Sequence, residues 1–307
     1  MNVGKNNMKV ERKKRKRKSY LDRLLTLFIV IVICLLVWLF LQIFCFTTFK
    51  IPSDSMEPAL IAGDEVIVNK MIYGARLFNI SRALNREDVD IYRLPGMGNV
   101  ERNDIVVFNY PYPDRNDSIS FDVMQYYIKR CVALPGDTFE IKDTHYKVKG
   151  VHEELGSIKY QNMLDSVLKK GGQDKFYHIV LKGFPHDTIV NWSIKDFGPL
   201  YIPREGDRIP MNRLNWVLYR ELIEWEQHEK LQIKDGRFYL GNKFIVDYLF
   251  RSNYYFVAGD KVMNSKDSRY WGMLPEEYIV GKATRIWYSE DKFTEKPRWD
   301  RIMKKIK

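Results

Sequence analysis

An uninterrupted apolar run dominates the hydropathy pattern near the start of the chain. Residues 24–46 read LLTLFIVIVICLLVWLFLQIFCF, without a charged side chain and with Thr26 and Gln42 as the polar positions. At about 1.5 Å per residue, a helix of this length spans a hydrocarbon core of about 30 Å with some tilt. The run is too long for a removable signal peptide, and it does not end in small residues. We therefore expect one retained transmembrane signal anchor.

The chain beyond this run shows the pattern of β-strands in two separated regions. Strand-like stretches combine β-branched and aromatic residues with partial alternation, and Pro-Gly at 135–136 marks a turn after the third. They are EVIVNKMIYG (65–74), NDIVVFNY (103–110), MQYYIKRCVAL (124–134), NYYFVAGD (253–260) and YIVGKATRIWYS (278–289). The pattern predicts a mostly β core that is assembled from both regions.

The region between these two parts has a different character. Leu214 to Glu229 has a helical pattern with Trp216 and Trp225, whereas FYHIVLKG (176–183) is strand-like. We therefore predict an α+β inserted cap subdomain. The full division predicted from the sequence is a basic cytoplasmic segment (1–23), the anchor (24–46), the first part of the core (47–143), the insert (144–245), the second part of the core (246–290) and a basic, solvated C-terminal tail (291–307).

Charge is concentrated at the N-terminus. The chain has a formal net charge of +11, and residues 1–23 contribute ten Lys or Arg against Glu11 and Asp22. Runs such as ERKKRKRK also occur in nucleic-acid-binding arms and localisation signals. Because this run directly precedes the apolar one, we interpret it as a topology signal that attracts anionic lipid, and we expect no nucleic acid partner. By the positive-inside rule the N-terminus is cytoplasmic and the body lies on the other side.

The cysteines exclude an intrachain disulfide in the exported body. Cys34 and Cys45 lie in the apolar run, and Cys131 is the remaining cysteine. The sequence contains no C-x-x-C motif or His/Cys cluster, so we expect neither a metal site nor another cofactor. For Cys131 we prefer a small packing side chain to a reactive thiol.

Candidate chemistry begins directly after the anchor, in IPSDSMEPAL (51–60), where Ser53 and Ser55 are possible nucleophiles. A serine hydroxyl needs a neighbouring base. Lys129 lies in the apolar stretch QYYIKRCVALPG, where burial would lower the pKa of its ammonium, although a strand lysine is more often at an edge or solvent-facing. Histidine is the usual base, and a Ser-His-Asp triad also stays open. The histidines all lie in the insert: His145, His152, His178, His186 and His228.

Five blocks together resemble the bacterial type I signal peptidases (leader peptidases), a family of Ser-Lys dyad serine proteases. In order, they are PSDSMEPAL, GDEVIVNK, NDIVVFNYP, YYIKRCVALPGD and GDKVMNSKDSRYWGMLP. They cover roughly 47–143 and 246–290, close to half of the chain. The resemblance implies the β-rich signal peptidase fold.

The resemblance also implies individual roles. Ser55 would be the nucleophile, Lys129 the general base, and Ser53 a donor to the oxyanion hole. Ser265 would orient the lysine, and Asp267 and Arg269 would support the site. The implied substrate-binding residues are Phe49, Ile51, Pro52, Met56, Leu60, Tyr127 and Ile128.

The chain departs from the family pattern near these residues. Asp54 stands where the family has glycine, and we expect its carboxylate to point away from the developing oxyanion. Lys261, Val262 and Met263 replace Asn, Arg and Asp of the usual G-D-N-R-D-N-S block, so we expect the ion pairing of that Arg and Asp to be lost. Smaller departures are Ala59 and Asn103.

The expected function is removal of signal peptides from exported preproteins at Ala-x-Ala-like sites, at a bacterial inner membrane, by a catalytic domain on the extracytoplasmic side. Signal peptides and the lipid bilayer would be the partners. A catalytically inactive, membrane-tethered relative that binds preproteins or partner proteins is the main alternative. A membrane-anchored protein that binds nucleic acid or lipid through residues 5–18 is a second alternative.

Overall fold

A computed structural model describes residues 3–113, 117–171 and 179–306, with side chains from residue 20 onward. Its contacts divide the chain into an N-terminal unit that ends at Phe46 and a body that begins at Thr47. The N-terminal unit is a long helix, Val3–Phe40, that continues into a π-helical turn, Leu41–Cys45. Within it, Tyr20–Cys45 is the one segment of the described chain that is long and apolar enough to cross a membrane.

Strands predominate in the body. The helices are α1 (Val3–Phe40), α2 (Ile80–Leu84), α3 (Ile158–Lys169), α4 (Arg213–Gln227) and α5 (Ser268–Trp271). The strands are β1 (Phe46–Lys50), β2 (Asp64–Asn69), β3 (Arg76–Leu77), β4 (Tyr92–Arg93), β5 (Ile105–Asn109), β6 (Tyr126–Ala133), β7 (Thr138–Lys142), β8 (His145–Val148), β9 (Phe197–Tyr201), β10 (Arg208–Pro210), β11 (Leu231–Lys234), β12 (Arg237–Leu240), β13 (Lys243–Ile245), β14 (Asp247–Leu249), β15 (Tyr254–Ala258), β16 (Leu274–Pro275) and β17 (Ile279–Ser289).

A seven-stranded sheet carries the candidate site, with the strand order β1-β2-β17-β5-β6-β15-β16. The strand pairs from β2 to β16 are antiparallel. β6 is internal, because it pairs with β5 on one side and with β15 on the other. Lys129 pairs with Val106 in the β5–β6 register, so its strand is not an edge strand.

The predicted insert shares its core with this sheet. One apolar cluster joins Phe139 and Phe256 to Leu164 of α3 and to Leu222 of α4. The aromatic rings of Phe139 and Phe256 stack at 4.4 Å. The region 144–245 therefore packs as part of the body, and the finer sequence-based division of the chain stays a prediction.

Helix α4 illustrates how local sequence specifies an element. The Asn212 side chain caps its start by accepting from the Asn215 amide at 2.8 Å, and His228 ends it in the left-handed region. Its buried face includes Leu218 and Leu222, one turn apart. The predicted helix over 214–229 is thus confirmed to within two residues at its C-terminal end. The strand predicted over 176–183 lies partly outside the described residues.

The expectation of a solvated C-terminal tail is wrong for the part near Arg301. Its guanidinium forms two hydrogen bonds to the fully buried Asp64 carboxylate, at 3.0 and 2.6 Å. Ile306 packs against the apolar cluster that contains Met56 and Leu60. The segment after β17 therefore packs against the sheet next to the turn that carries Ser53 and Ser55, here called the serine turn.

Candidate active site

The turn that follows β1 places the two candidate serines. Met56 and Leu60 are fully buried in one apolar cluster, and the Leu60 amide donates to the Met56 carbonyl at 2.9 Å. The residues that follow Ser55 therefore hold the turn in its conformation. Ser55 itself is only 8% exposed. The buried side chains of Met56 and Leu60 therefore hold the turn that carries Ser53 and Ser55 in place.

Strand β6 brings Lys129 directly to Ser55. The Lys129 Nζ donates to the Ser55 Oγ at 2.8 Å and to the Ile128 carbonyl at 3.0 Å. Lys129 is 5% exposed, and its ammonium lies 5.7 Å from the centre of the Tyr127 ring. A nucleophile and a possible base are therefore within hydrogen-bond reach of each other.

The surroundings of Lys129 favour its neutral form. Burial disfavours the ammonium and lowers the pKa of Lys129 to about 8. Asp267 opposes this shift, whereas Arg269 supports it. The amine is therefore partly neutral at mildly alkaline pH, as a general base requires.

The other two candidate serines differ in their contacts. The Ser53 and Ser55 hydroxyl oxygens are 3.4 Å apart. The Ser265 hydroxyl is buried and makes no hydrogen bond to Lys129, whereas its contact with Asp267 helps to lower the pKa of that carboxyl. Gly259 lies between Ser265 and Ser55. A Cβ at this position would lie 2.2 Å from the Ser265 Oγ and 2.8 Å from the Ser55 carbonyl oxygen. Only glycine fits between them.

Two buried ion pairs surround the site. The Arg269 Nη2 and the Asp267 Oδ2 are 2.8 Å apart, and both side chains are fully buried. Burial opposes ionisation of Asp267, but Arg269 overcomes it and the pKa of Asp267 is lowered. Asp267 Oδ2 also accepts from the Gly259 amide at 2.8 Å. Arg130 and Asp260 form the second pair, which sequence reasoning missed although each residue lies within one of the five blocks.

The implied substrate-binding residues fall into two groups. Ile51, Met56 and Leu60 belong to the buried core, with Phe49 and Ile128 packed against it. Pro52 is exposed, and its carbonyl accepts from Lys292. Tyr127 is half-buried and stacks on Tyr110 at 4.5 Å. A cavity of about 470 Å³, with Glu221 and Glu277 in its wall, is lined by none of these candidates.

Two departures from the family pattern contact each other. The Lys261 Nζ is 2.5 Å from the Asp54 Oδ2 and 2.9 Å from the Glu57 Oε2. Asn264 donates to the other Asp54 oxygen at 2.9 Å. Ion pairing near this block is therefore retained through Lys261, and Asp54 is drawn towards the 261–264 segment. The positions of Val262 and Met263 are buried in the apolar cluster that contains Leu164 of α3.

The described histidines do not reach the serines. His145 contacts Asp143 and Asn162, and the His186 Nε2 lies 2.8 Å from the Tyr270 carbonyl oxygen. His228 ends α4 and lines the separate cavity. His152 is exposed, and His178 lies outside the described residues. A histidine base for Ser55 therefore has no support in the described part of the chain.

The remaining candidate chemistry is limited. Cys131 is fully buried among apolar side chains, and burial raises the pKa of its thiol. This environment favours the packing interpretation. Within the described residues, no group of three or more His, Cys, Asp or Glu side chains is arranged to hold a metal ion.

Comparison with known proteins identifies the family of the chain. A family model described as "Signal peptidase, peptidase S26" matches residues 24–288. A signal peptidase I of Buchnera aphidicola subsp. Schizaphis graminum is 30% identical over 94% of this chain and 80% of its own. One of Pseudomonas aeruginosa is 30% identical over 87% and 74%, respectively. A crystal structure of a signal peptidase I from Enterococcus faecalis V583 covers 62% of this chain and all of its own, with 19% identity and a TM-score of 0.28. The chain belongs to the signal peptidase family, peptidase S26, and is a hydrolase of the serine endopeptidase class.

Proposed function

We propose that the chain is a membrane-anchored endopeptidase that removes signal peptides from exported preproteins, with Ser55 as nucleophile and Lys129 as general base. The observation that carries the proposal is the 2.8 Å contact between the Lys129 Nζ and the Ser55 Oγ, made by a lysine whose pKa is lowered to about 8. A buried amine next to a hydroxyl meets the chemical requirements of an activated nucleophile.

The first chemical step forms an acyl-enzyme. Neutral Lys129 accepts the Ser55 hydroxyl proton as the Oγ attacks the scissile carbonyl carbon. The tetrahedral oxyanion then receives hydrogen bonds from the Ser55 amide and the Ser53 hydroxyl, which lies 3.4 Å from the nucleophilic oxygen. As the C–N bond breaks, the Lys129 ammonium gives its proton to the leaving amine, which becomes the N-terminus of the mature protein.

The second step releases the signal peptide. Lys129 is neutral again and takes a proton from a water molecule that attacks the acyl carbon. The ester bond to Ser55 breaks, the proton returns to the serine oxygen, and the signal peptide leaves with a free carboxylate. Asp267 and Arg269 hold the loop behind the lysine through their buried ion pair. Ser265 would orient the lysine once the site is occupied, because catalytic hydrogen bonds often tighten only in the substrate complex.

The proposed substrates carry small residues at the −1 and −3 positions before the scissile bond. Phe49, Pro52, Tyr127 and Ile128 would line the pockets, and buried Ile51, Met56 and Leu60 would form their floor. A well-packed floor leaves little room for a large side chain, which is how a shallow apolar site selects Ala-x-Ala.

The proposed location is a bacterial inner membrane. Tyr20–Cys45 is long and apolar enough to span it, and the basic residues before it favour a cytoplasmic N-terminus and contact with anionic lipid. The body would then lie on the extracytoplasmic side, where exported preproteins emerge. The nucleophile follows the apolar run by nine residues, so anchor and substrate share one thin layer, which raises their effective concentration.

The experiment that tests the proposal is cleavage of a preprotein with an Ala-x-Ala site by the full chain in liposomes. Product masses would be measured for the wild type, Ser55→Ala and Lys129→Ala. We expect cleavage after the second alanine by the wild type and a loss of at least about 10⁴-fold in each variant. Activity that survives in Lys129→Ala would place the base elsewhere. A wild type that binds several such preproteins and cleaves none would instead be the inactive tethered relative.

A further inference from the structure

Lys261 joins two segments that are far apart in sequence. Its ammonium contacts Asp54 at 2.5 Å and Glu57 at 2.9 Å, on either side of Ser55. Its backbone amide donates to the Ser55 carbonyl oxygen at 3.0 Å. Asn264, one turn further along, donates to the second Asp54 oxygen at 2.9 Å. The serine turn is therefore held by side-chain and backbone contacts from one segment.

These contacts are protected from water to an intermediate degree. The side chains of Lys261, Asp54 and Glu57 are 25%, 35% and 31% exposed. Burial opposes ionisation of Asp54, but its hydrogen bonds to Lys261 and Asn264 outweigh it and lower the Asp54 pKa. The hydrogen bonds to Asp54 and Glu57 likewise raise the pKa of Lys261. Asp54 and Lys261 are therefore both charged at neutral pH.

An unpaired carboxylate at position 54 would harm the reaction. Asp54 lies between Ser53 and Ser55, so its negative charge would oppose a negative oxygen forming beside them. It would also favour the ammonium of Lys129, which must be neutral to accept a proton. A cation on Asp54 removes both effects.

The packing of the neighbouring residues explains why the cation comes from Lys261. Val262 and Met263 are buried, and α3 packs against the Val262–Asn264 turn. Their side chains face the apolar cluster that includes Leu164, so they are unavailable as charged partners. Lys261, directly before this turn, is the cationic side chain of the segment that reaches Asp54, with neutral Asn264 beside it.

We propose that Lys261 is a positioning residue for the nucleophile and that it compensates for Asp54, so that the two departures from the family pattern form one functional unit. The inference rests on the proposed function, because it assigns Lys261 a role in the reaction of Ser55. It differs from that function in predicting that the two substitutions depend on each other.

The test is a double-mutant cycle that restores the family residues one at a time. Cleavage of the Ala-x-Ala preprotein would be measured across pH for Lys261→Asn, Asp54→Gly and the double variant of the full chain. Lys230→Asn is the matched control, because Lys230 forms a 2.7 Å pair with Glu224 away from the serine turn.

We expect Lys261→Asn to lower kcat by about tenfold and to move the acidic limb of the pH profile upward by about half a pH unit. Asp54→Gly should stay within about threefold of the wild type, and the double variant should recover to that level, since the carboxylate that needs compensation is gone. The control should match the wild type.

Three outcomes separate the explanations. A Lys261→Asn enzyme with wild-type kcat and pH profile would overturn the inference while leaving the proposed function intact. A double variant no more active than Lys261→Asn would also overturn it, because it would show a structural role independent of Asp54. A wild type without cleavage would reject the proposed function itself. Melting temperatures of the variants check that each one is folded.

Discussion

Arg130 and Asp260 form a buried, bidentate ion pair in which both N–O distances are 2.7 Å. Arg130 directly follows the candidate base on β6, and Asp260 lies two residues after the end of β15, next to Lys261. The Arg130 Nη1 also donates to the Asn103 carbonyl at 2.7 Å. The pair therefore ties together the three segments on which the geometry around Lys129 depends.

Removal of one partner of this pair should destabilise the protein strongly. Asp260→Asn leaves the Arg130 guanidinium buried without its carboxylate, which typically costs about 3–5 kcal/mol. Urea unfolding of the full chain in detergent, followed by tryptophan fluorescence, measures the change. Asp247→Asn is the control, because Asp247 pairs with Arg208 at 2.6 Å on the surface and should cost less than about 1 kcal/mol. Equal losses in the two variants would contradict the assignment of the Arg130 pair as a buried constraint.

The Ser53 hydroxyl offers a test of the oxyanion hole. Ser53→Ala should lower kcat by about 10²–10³-fold with little change in KM, because the lost hydrogen bond forms mainly in the transition state. The exposed position of Ser53 means that folding should be unaffected. Steady-state cleavage of a signal-peptide substrate, with thermal unfolding alongside, makes the measurement. An increase in KM at unchanged kcat would show that Ser53 binds the substrate instead.

The pH dependence of cleavage follows from Lys129. Because burial lowers its pKa to about 8, the fraction of neutral amine rises tenfold per pH unit below that value and levels off above it. We expect kcat/KM to increase with pH and to be half-maximal near pH 8. The pH profile of kcat/KM between pH 6 and 10 is the measurement. A profile with its midpoint near pH 6.5 would point to a histidine instead.

Lys129 should also make the stability of the protein pH-dependent. Its folded pKa of about 8 lies below the unfolded value, so the unfolded chain binds more protons between about pH 8 and 10.5 and stability rises with pH through that window. Below pH 8 the buried ammonium costs about 3 kcal/mol. Lys129→Met should therefore be more stable than the wild type at pH 7 by roughly 2 kcal/mol, less at pH 10. Urea unfolding at both pH values tests this, and a variant that is less stable at pH 7 would show that the Lys129 hydrogen bonds outweigh its desolvation.

The local features of the fold were accessible from sequence because each depends on neighbouring residues. The uninterrupted apolar run identified the N-terminal helix, and the period of apolar positions identified the strand around Lys129 and helix α4. The contacts of Lys261 with Asp54 were not accessible in this way, because they join positions 207 residues apart and neither fits the family pattern. The sequence did carry one signal, namely that a new carboxylate and a new lysine occur in two blocks that meet at the site.

The burial of Val262 and Met263 was similarly hidden. From the sequence, Val262 and Met263 are simply the loss of the Arg and Asp of the family pattern. In the structure both side chains pack in the cluster that includes α3, which lies about 100 positions earlier in the chain. Because the insert shares its core with the sheet, apolar residues suit this turn better than an unpaired Arg or Asp would. The replacement of charged residues by apolar ones at 262 and 263 is therefore explained by tertiary packing and not by the local sequence.

The C-terminal segment provides the last prediction. Arg301 neutralises the fully buried Asp64, which also accepts from the Ser289 hydroxyl at 2.7 Å and the Ile61 amide at 2.9 Å. Arg301→Met should therefore destabilise the body by about 3 kcal/mol, since it leaves a buried carboxylate without its cation.

The same variant tests whether the segment supports the serine turn. Arg301 donates to the Ala59 carbonyl at 3.1 Å, four residues after Ser55. Urea unfolding at pH 7 measures stability, and cleavage at a temperature where the variant remains folded measures support of the turn. Arg285→Met is the control, because the Arg285 side chain donates to the exposed Met303 carbonyl of the same segment. If the Arg301→Met protein is as stable as this control, the segment contributes little to the body, and the prediction of a solvated tail would hold.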